Sequence, residues 1–331
     1  MKILLTGGSG FIGGYVVKAL HKQGHDVRCL LRSTSDTTRI SDFPFEKTIG
    51  DVLQAESVDD AMESCDVCIH LALSAAWDQM RTEAQIQKLL ETSETGTKNI
   101  LEAAKRRGAR VVYASSIAAI NCSVTSDRIF SEDSEPEPLA ATLAYSRLKR
   151  EGEALVQKYA SEGLAVVIVN PAEVYGPLDT ALVTAGNLKQ IILDWPTTIP
   201  STGGTSIVHV EDVAHAIAAA CTKGTPGQRY ILGGPNLSIR ELARITLRLA
   251  GPKQANKWVL PIPSKLLQMV VNALAALRLP TPIEPGVLDF AVLYWYMDSS
   301  KAERDLGFQI RSTEEILKPT IDWLRESKHI P

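Results

Sequence analysis

The sequence predicts an α/β fold in which helices cover both faces of a parallel sheet. Three observations support this: short apolar runs alternate with helical patterns, short turns separate them, and a glycine cluster joins the first strand to the first helix. The predicted strands cover residues 3–5, 26–31, 45–49, 66–71, 110–114 and 164–170. Predicted helices begin at residue 11 and cover 54–63, 81–107 and 141–161. Ligands of such sheets bind beyond the carboxyl ends of the strands.

The glycine cluster has the pattern of a dinucleotide-binding turn. Gly7 allows a sharp turn off the strand, Gly10 lets the backbone approach a pyrophosphate, and Gly13 lets the helix pack against the strand. The N–H groups and positive dipole end of the helix then favour phosphate binding. A plain glycine loop is the alternative. The strand–turn–helix context favours a Rossmann-type doubly wound sheet that binds NAD or NADP.

The chain changes character at Pro171, beyond which prolines interrupt it often. Further helices are predicted at 210–223, 239–250 and 313–326. We expect residues 1–170 to form the NAD(P)-binding domain, with 206–232 returning to it. Residues 171–205 and 233–331 would form a smaller C-terminal substrate-binding lobe over the strand ends.

Composition is that of an ordinary globular protein, with 45% apolar and 22% charged residues among 331. A net charge of −3 gives no indication of a nucleic-acid partner. The chain enters its first strand at once, so we expect no signal peptide and a cytoplasmic location. A homodimer stays an open alternative.

Five cysteines, an odd number, favour a reducing compartment. Cys65 and Cys68 are interpreted as small core residues, and no metal-ligand spacing is visible. Residues 266–279 are the most apolar later stretch and are too short to span a bilayer. We predict a buried helix there, with a helix that contacts a membrane as the alternative.

In dinucleotide-binding folds, the residue at the end of the second strand recognises the adenosine ribose. Arg32 stands there, beside Ser33 and Thr34, and an arginine accommodates a 2′-phosphate. The residue therefore favours NADP over NAD, the alternatives being a solvated arginine or a ribose contact from Asp36. Asp51 follows the third strand and would accept from the adenine amino group or cap the next helix.

Tyr145 and Lys149 are four residues apart and so share one helix face. A nearby ammonium and an oxidised nicotinamide would both favour the phenolate, which makes Tyr145 a usable proton carrier. Ser116, at the end of the fifth strand, would bind the substrate oxygen, and Ser115 is the reserve candidate. The alternative is a surface Tyr–Lys pair, but Tyr145 is the only one of eight tyrosines with a lysine four residues on.

Taken together, these motifs resemble an extended short-chain dehydrogenase/reductase of the NAD-dependent epimerase/dehydratase family over essentially the whole chain. The likeness is strongest to dihydroflavonol-reductase-like and hopanoid-associated epimerase-like proteins. It rests on TGGSGFIG (6–13), GD (50–51), HLA (70–72), YASS (113–116), Tyr145 with Lys149, NPAEVYGP (170–177) and VHVEDVA (208–214).

The resemblance implies that Ser116, Tyr145 and Lys149 are catalytic and that Lys149 also bonds the nicotinamide ribose. It further implies cofactor contacts by Phe11, Ile12, Val52, Leu71, Ala72, Ser115, Pro171, Ala172 and Val174. His70 would lie near the cofactor, and His209 would be structural.

Two positions depart from the family pattern. Ser93 stands where an asparagine is common, so a proton relay through that position is not expected. Residues 204–207 replace the Arg-Asp-Phe run of nucleotide-sugar epimerases, whose arginine holds a diphosphate. A nucleotide-sugar substrate would therefore lack its phosphate anchor.

Three hypotheses follow for the function. The first is an NADP-dependent reductase of a small-molecule carbonyl, or the reverse dehydrogenase, favoured by Arg32 and the intact triad. The second is a nucleotide-sugar epimerase or dehydratase that keeps NAD bound. The third is a non-catalytic NADP-binding regulator, which Tyr145 and Lys149 argue against.

Overall fold

Seven parallel strands form the central sheet of the computed structural model, which describes residues 1–72, 80, 82–140, 142–281 and 283–331. Elements are numbered in chain order. The sheet strands are β1 (Lys2–Thr6), β2 (Asp26–Leu31), β3 (Glu46–Ile49), β4 (Val67–His70), β5 (Arg110–Ala114), β6 (Val166–Pro171) and β10 (Arg229–Leu232). Their order is β10-β6-β5-β4-β1-β2-β3, with every neighbouring pair parallel. The order reverses between β1 and β4, which opens a crevice at the strand ends.

Helices cover both faces of this sheet. They are α1 (Phe11–Lys22), α2 (Ala55–Met62), α3 (Glu83–Arg107), α4 (Ala144–Ser161) and α6 (Val210–Ala220). Alternate strand residues point to opposite faces: Ile3 shares a core cluster with Val17 of α1, whereas Leu4 shares another with Ile100 of α3. All four side chains are fully buried. The predicted Rossmann-type doubly wound α/β sheet is confirmed.

The later chain adds smaller sheets and further helices. Its strands are β7 (Glu173–Tyr175), β8 (Thr197–Pro200), β9 (Gly204–His209), β11 (Asn236–Ser238), β12 (Val259–Ile262) and β13 (Tyr294–Trp295). Its helices are α5 (Ala185–Leu193), α7 (Ile239–Leu249), α8 (Pro252–Ala255), α9 (Ser264–Ala276), α10 (Pro285–Ala291), α11 (Ser300–Leu306) and α12 (Thr313–Glu326). Strand β9 pairs with β7, β11 and β13, and β8 pairs with β12. The segment after β5 bridges to Tyr294 and Met297, which brings this region against the strand ends.

Most predicted boundaries agree with the structure. The second strand and the last helix match β2 and α12, and α3 ends at Gly108, whose φ is +69°. The predicted starts at 81 and 141 fall outside the described residues. The sixth strand is predicted at 164–170 and ended by Pro171; β6 covers Val166–Pro171 and so ends at Pro171 itself. The N–H of Ala172, the next residue, donates to the Leu232 carbonyl.

The prediction of a buried helix at 266–279 is wrong. A helix does form there as α9, but Met269 is 63% exposed and Leu277, just after it, is 70% exposed. Only one side of α9 packs, through Val271 against Leu288 of α10. Among the described residues, no helix is long and apolar enough to cross a membrane.

Candidate active site

The glycine turn between β1 and α1 forms a backbone cradle at the sheet edge. Gly7 has a φ of +75°, and its carbonyl accepts from the N–H of Gly10 at 3.0 Å. A Cβ on Gly13 would lie 2.0 Å from the Gly7 carbonyl oxygen, so only glycine fits this close packing. Among the described residues, a Cβ on Gly10 would meet that oxygen at 3.2 Å and no other atom within 4 Å, so its other sides are open. The first turn of α1 holds no acidic residue, and this cradle therefore fits a dinucleotide pyrophosphate.

The neighbouring strand end lies against the same turn. The N–H of Leu71 donates to the Thr6 carbonyl, and the N–H of Ala72 donates to the Thr6 hydroxyl at 3.3 Å. A Cβ on Gly7 would meet the Ala72 nitrogen at 3.0 Å, so the chain passes close beside the turn. Phe11 and Ile12 begin α1 here and keep part of their surface accessible.

Arg32 is exposed just beyond β2, and among the described residues its side chain has no hydrogen-bond or ion-pair partner. Asp36 is engaged elsewhere, since it accepts from the Thr38 backbone and hydroxyl, and this lowers the pKa of its carboxyl. The guanidinium of Arg32 is therefore available to a phosphate.

Arg39 is a second cation at this end of the fold, and sequence reasoning missed it. It donates to the Ser9 carbonyl at 2.8 Å and to the Thr180 hydroxyl at 2.7 Å. Its aliphatic stem lies over Gly14. The position of Arg39 in an irregular segment carries no periodic signal that could have found it.

Asp51 closes a turn before α2 rather than capping the helix. Its Oδ1 accepts from the N–H of Leu53 at 3.0 Å, while Gln54 occupies the N-cap of α2. The helix-cap alternative for Asp51 is therefore wrong. Val52 follows, and its carbonyl accepts from the side chain of Asn99 at 2.8 Å.

Ser116, Tyr145 and Lys149 meet beyond β5. The side chains of Ser116 and Tyr145 are hydrogen-bonded to each other. The Ser116 Oγ also accepts from the N–H of Ala118 at 3.2 Å, which fixes it at the start of a 3₁₀ turn. The Lys149 Nζ lies 5.8 Å from the centroid of the Tyr145 ring. The predicted helix face is thus present, and it faces the end of β5.

Burial sets the protonation of this group. It raises the pKa of Tyr145, which the hydrogen bond to Ser116 partly opposes. Burial also lowers the pKa of Lys149 to about 8, although the nearby negative charge of Glu153 acts to raise it. At neutral pH the phenol is therefore protonated and the ammonium charged. Desolvation outweighs the Ser116 hydrogen bond in setting the pKa of Tyr145. That the ammonium and an oxidised nicotinamide together favour the phenolate stays a prediction.

Glu153 extends the same helix face by another four residues, and sequence reasoning missed it. Its side chain is 4% exposed, accepts a hydrogen bond from Asn170 and lies 3.5 Å from Arg229. Asn170 also donates to the Ser116 carbonyl at 3.0 Å. The repeated spacing from Tyr145 through Lys149 was the signal that could have found Glu153.

The other cofactor residues predicted from the sequence lie at the same edge. Ser115 follows β5, and its buried hydroxyl has no hydrogen-bond partner among the described residues. Pro171 ends β6, Ala172 follows it, and Val174 is buried in β7. Such a buried hydroxyl at the carboxyl edge of the sheet is a further feature that fits a bound cofactor.

His70 and His209 are buried and serve the fold. The His70 Nδ1 lies 2.7 Å from the Thr6 hydroxyl, and burial lowers the pKa of His70 to about 4. The His209 Nδ1 accepts from the N–H of Glu211 and caps α6. Among the described residues, no group of His, Cys, Asp and Glu is placed to hold a metal. Cys65 and Cys68 are buried and free, as predicted.

An aromatic pair from the later chain completes the wall beside Tyr145. Phe290 of α10 meets the Tyr145 ring edge to face, with centroids 6.4 Å apart. It also stacks on Trp295 at 4.1 Å, and the Trp295 indole N–H donates to the Phe290 carbonyl. No local pattern in the sequence indicates this contact. It gives the substrate side of the site an apolar surface.

Strand β9 contains residues 204–207, for which the resemblance predicts no diphosphate anchor. Thr205 and Ser206 are buried there. The Ser206 hydroxyl donates to the Gly234 carbonyl at 3.2 Å, and the Thr205 hydroxyl donates to the Ser206 carbonyl at 3.1 Å. Both hydroxyls are therefore used within the protein.

Known protein families, sequences and structures include relatives of this chain. Residues 3–233 match the model of the NAD dependent epimerase/dehydratase family. The chain is 29% identical to a putative dihydroflavonol 4-reductase of Synechocystis, over 98% of this chain and 95% of that protein. It is 28% identical to sterol demethylase protein B of Methylococcus capsulatus, over 98% and 99% of the two chains. UDP-glucose 4-epimerase from Thermotoga maritima shares the fold, with a TM-score of 0.78 at 21% identity over 99% and 100% of the chains.

Proposed function

Because this chain belongs to the NAD-dependent epimerase/dehydratase family and is an NAD(P)-dependent enzyme, we propose that it is an NADP-dependent oxidoreductase. It reduces a carbonyl group of a small molecule, or oxidises the matching alcohol, through Ser116, Tyr145 and Lys149.

The observation that carries this proposal is the arrangement of these three side chains. Tyr145 is hydrogen-bonded to Ser116, and the Lys149 ammonium lies 5.8 Å from the centroid of its ring. The burial that keeps the phenol protonated leaves it able to donate to a carbonyl oxygen. A group poised to give a proton suits carbonyl reduction.

Each residue has a separate part in this reaction. A bound nicotinamide cofactor supplies the hydride in reduction and accepts it in oxidation. Tyr145 donates the proton to the substrate oxygen, and Ser116 holds that oxygen by a hydrogen bond. Lys149 keeps positive charge beside the phenol, which stabilises the phenolate left after donation. The Gly7–Gly13 cradle and Lys149 would hold the cofactor.

The preference for NADP is supported by Arg32. Its guanidinium is exposed at the end of β2 and, among the described residues, is not engaged by any carboxylate. A cation at this position accommodates the 2′-phosphate. Arg39, near the Ser9 carbonyl, adds positive potential at the same end.

The second candidate is an epimerase or dehydratase that keeps NAD bound, and the family to which the chain belongs is the observation that favours it. The buried hydroxyls of Thr205 and Ser206 weigh against a nucleotide-sugar substrate, because they bond within the protein. The apolar face of Phe290 beside Tyr145 also suits a less polar substrate better than a sugar diphosphate.

A screen of carbonyl compounds scored by NADPH oxidation tests the proposal. We expect stoichiometric NADPH consumption with at least one apolar ketone or aldehyde, and its loss in a Tyr145→Phe variant. Isomerisation or dehydration of a nucleotide sugar without net cofactor consumption would reject the reductase in favour of the second candidate.

A further inference from the structure

The outward side of α9 is apolar, contrary to the usual pattern of a surface helix. We call this the α9 face and define it as Leu266, Met269, Val270 and Leu277, which are 47%, 63%, 45% and 70% exposed. The opposite side packs through Val271, which is fully buried. A surface helix normally places polar side chains toward solvent. An exposed apolar surface of this kind marks a contact with something else.

The two-stranded sheet that precedes α9 also exposes two large apolar side chains. Trp258 directly precedes β12 and is 70% exposed, and Trp195, which precedes β8, is 69% exposed. Both lie at the same end of the parallel pair, since the Trp258 carbonyl accepts from the N–H of Thr197. Tryptophan is enriched where an apolar phase meets water.

The charged side chains of α9 and its flanking segments, residues 252–283, are all positive. Residues 252–283 contain no aspartate or glutamate, although the whole chain has a net charge of −3. Their cations are Lys253, Lys257, Lys265 and Arg278. Lys265 opens α9 and is exposed, as is Arg278 just beyond its end.

The neighbouring helix α10 contributes two carboxylates, Glu284 at its N-cap and Asp289. Asp289 of α10 accepts from Gln268 on the inward side of α9. Asp194 follows α5, and its backbone carbonyl accepts from the Lys257 Nζ at 3.1 Å. The outward surface therefore combines exposed apolar side chains with flanking cations.

We propose that the α9 face, with Trp195 and Trp258, docks on the surface of an anionic phospholipid bilayer. Apolar side chains enter the acyl boundary while the lysines and arginine meet anionic head groups. A second copy of the chain suits this surface less, because an isologous contact would bring the same cations together.

The position of α9 connects this surface to the chemistry. Helix α9 packs on α10, and α10 carries Phe290 against Tyr145. Resting on the proposed function, the inference names the substrate class: an apolar carbonyl compound that partitions into the bilayer and reaches Tyr145 past α10.

Vesicle co-sedimentation of the full chain tests the docking without any substrate. The probes are vesicles of phosphatidylcholine alone and of phosphatidylcholine mixed with phosphatidylglycerol. The variant Met269→Gln/Leu277→Gln removes two side chains of the α9 face. Its matched control, Val124→Gln/Ile129→Gln, removes two side chains of similar exposure, 76% and 62%, outside the α9 face. A third variant, Lys265→Gln/Arg278→Gln, removes charge alone.

We expect the wild-type chain to bind the anionic vesicles and to bind the neutral ones less. The α9-face variant should bind about tenfold more weakly, the charge variant should lose the preference for anionic lipid, and the control should match wild type. Tryptophan emission should shift to the blue on binding, and less so in Trp195→Phe/Trp258→Phe. Equal thermal melting of all variants confirms that each is folded.

Several results would overturn the inference. They are no wild-type binding to anionic vesicles, equal weakening by the control, or a dimer in sedimentation that the α9-face variant dissociates without any vesicle binding. Each leaves the proposed function standing, since NADPH oxidation is measured in an assay that contains no vesicles. If the protein bound vesicles but oxidised no NADPH, the docking surface would be supported. The proposed substrate class would then be rejected.

Discussion

The ammonium nitrogen of Lys149 lies 5.8 Å from the centroid of the Tyr145 ring, one turn further along α4. Burial lowers the pKa of Lys149 to about 8 and raises the pKa of Tyr145. Near neutral pH the pair therefore presents a charged ammonium beside a protonated phenol. The same desolvation makes Lys149 the first of the two to lose its proton as the pH rises.

This order predicts a pH-dependent cofactor affinity. If the Lys149 ammonium holds the ribose, the protonated protein binds NADPH, and affinity falls as the pH rises through about 8. Fluorescence titration between about pH 7 and about pH 9.5 measures it. Lys149→Ala should bind weakly throughout with a flat profile, whereas Lys158→Ala, an exposed lysine on the same helix, should follow wild type. A flat wild-type profile would contradict the role given to Lys149.

Arg32 should decide the choice between cofactors. Because its guanidinium is exposed at the end of β2, the protein should bind NADPH more tightly than NADH. Arg32→Ala should weaken NADPH about tenfold or more, as for a lost charged hydrogen bond, and leave NADH almost unchanged. Arg304→Ala is the control, being an exposed arginine of α11. Equal or tighter NADH binding by the wild type would refute the NADP assignment.

Substitution of two glycines of the cradle should distinguish effects on stability from effects on cofactor binding. A Cβ at Gly13 meets the Gly7 oxygen at 2.0 Å, so Gly13→Ala should lower the free energy of unfolding by about 1–3 kcal/mol. A Cβ at Gly10 meets that oxygen at 3.2 Å, so Gly10→Ala should cost less than about 1 kcal/mol. Both variants should bind the cofactor more weakly. In Gly10→Ala this is because the added methyl group occupies the position of the pyrophosphate. Denaturant melts and cofactor titrations measure the two effects; unimpaired NADPH binding by Gly10→Ala would place the pyrophosphate elsewhere.

Cofactor retention separates a reductase from an epimerase. A reductase must exchange oxidised for reduced cofactor in each cycle, so the purified protein should lose most of its nucleotide on desalting. The nucleotide content before and after this step gives the answer. Stoichiometric NAD that persists, together with turnover that leaves the redox state unchanged, would favour the epimerase.

Local patterns predicted the elements that hold the site. The apolar run 26–31 and the helical stretch 313–326 have boundaries that the structure reproduces as β2 and α12. Tyr145 and Lys149 also share one face of α4, as their spacing predicts, because residues four apart share a face in any α-helix.

Contacts between distant segments were not predictable in this way. Phe290 lies 145 positions after Tyr145, and neither its type nor its spacing indicates the edge-to-face contact. Arg39 reaches the Ser9 carbonyl from an irregular segment. The exposure of α9 was mispredicted because its apolar content suggested burial, whereas the fold packs only the side that carries Val271. The raised pKa of Tyr145 depends on desolvation, which no sequence pattern specifies.

The most direct test of the central claim is the turnover of Tyr145→Phe with a substrate found in the NADPH screen. If Tyr145 donates the proton, the rate should fall by about 10²–10⁴-fold while NADPH affinity stays near that of wild type. Tyr159→Phe, the other tyrosine on α4, is the matched control and should keep its rate, since its hydroxyl bonds Glu102. A Tyr145→Phe variant that turns over near the wild-type rate would show that Tyr145 does not carry the proton.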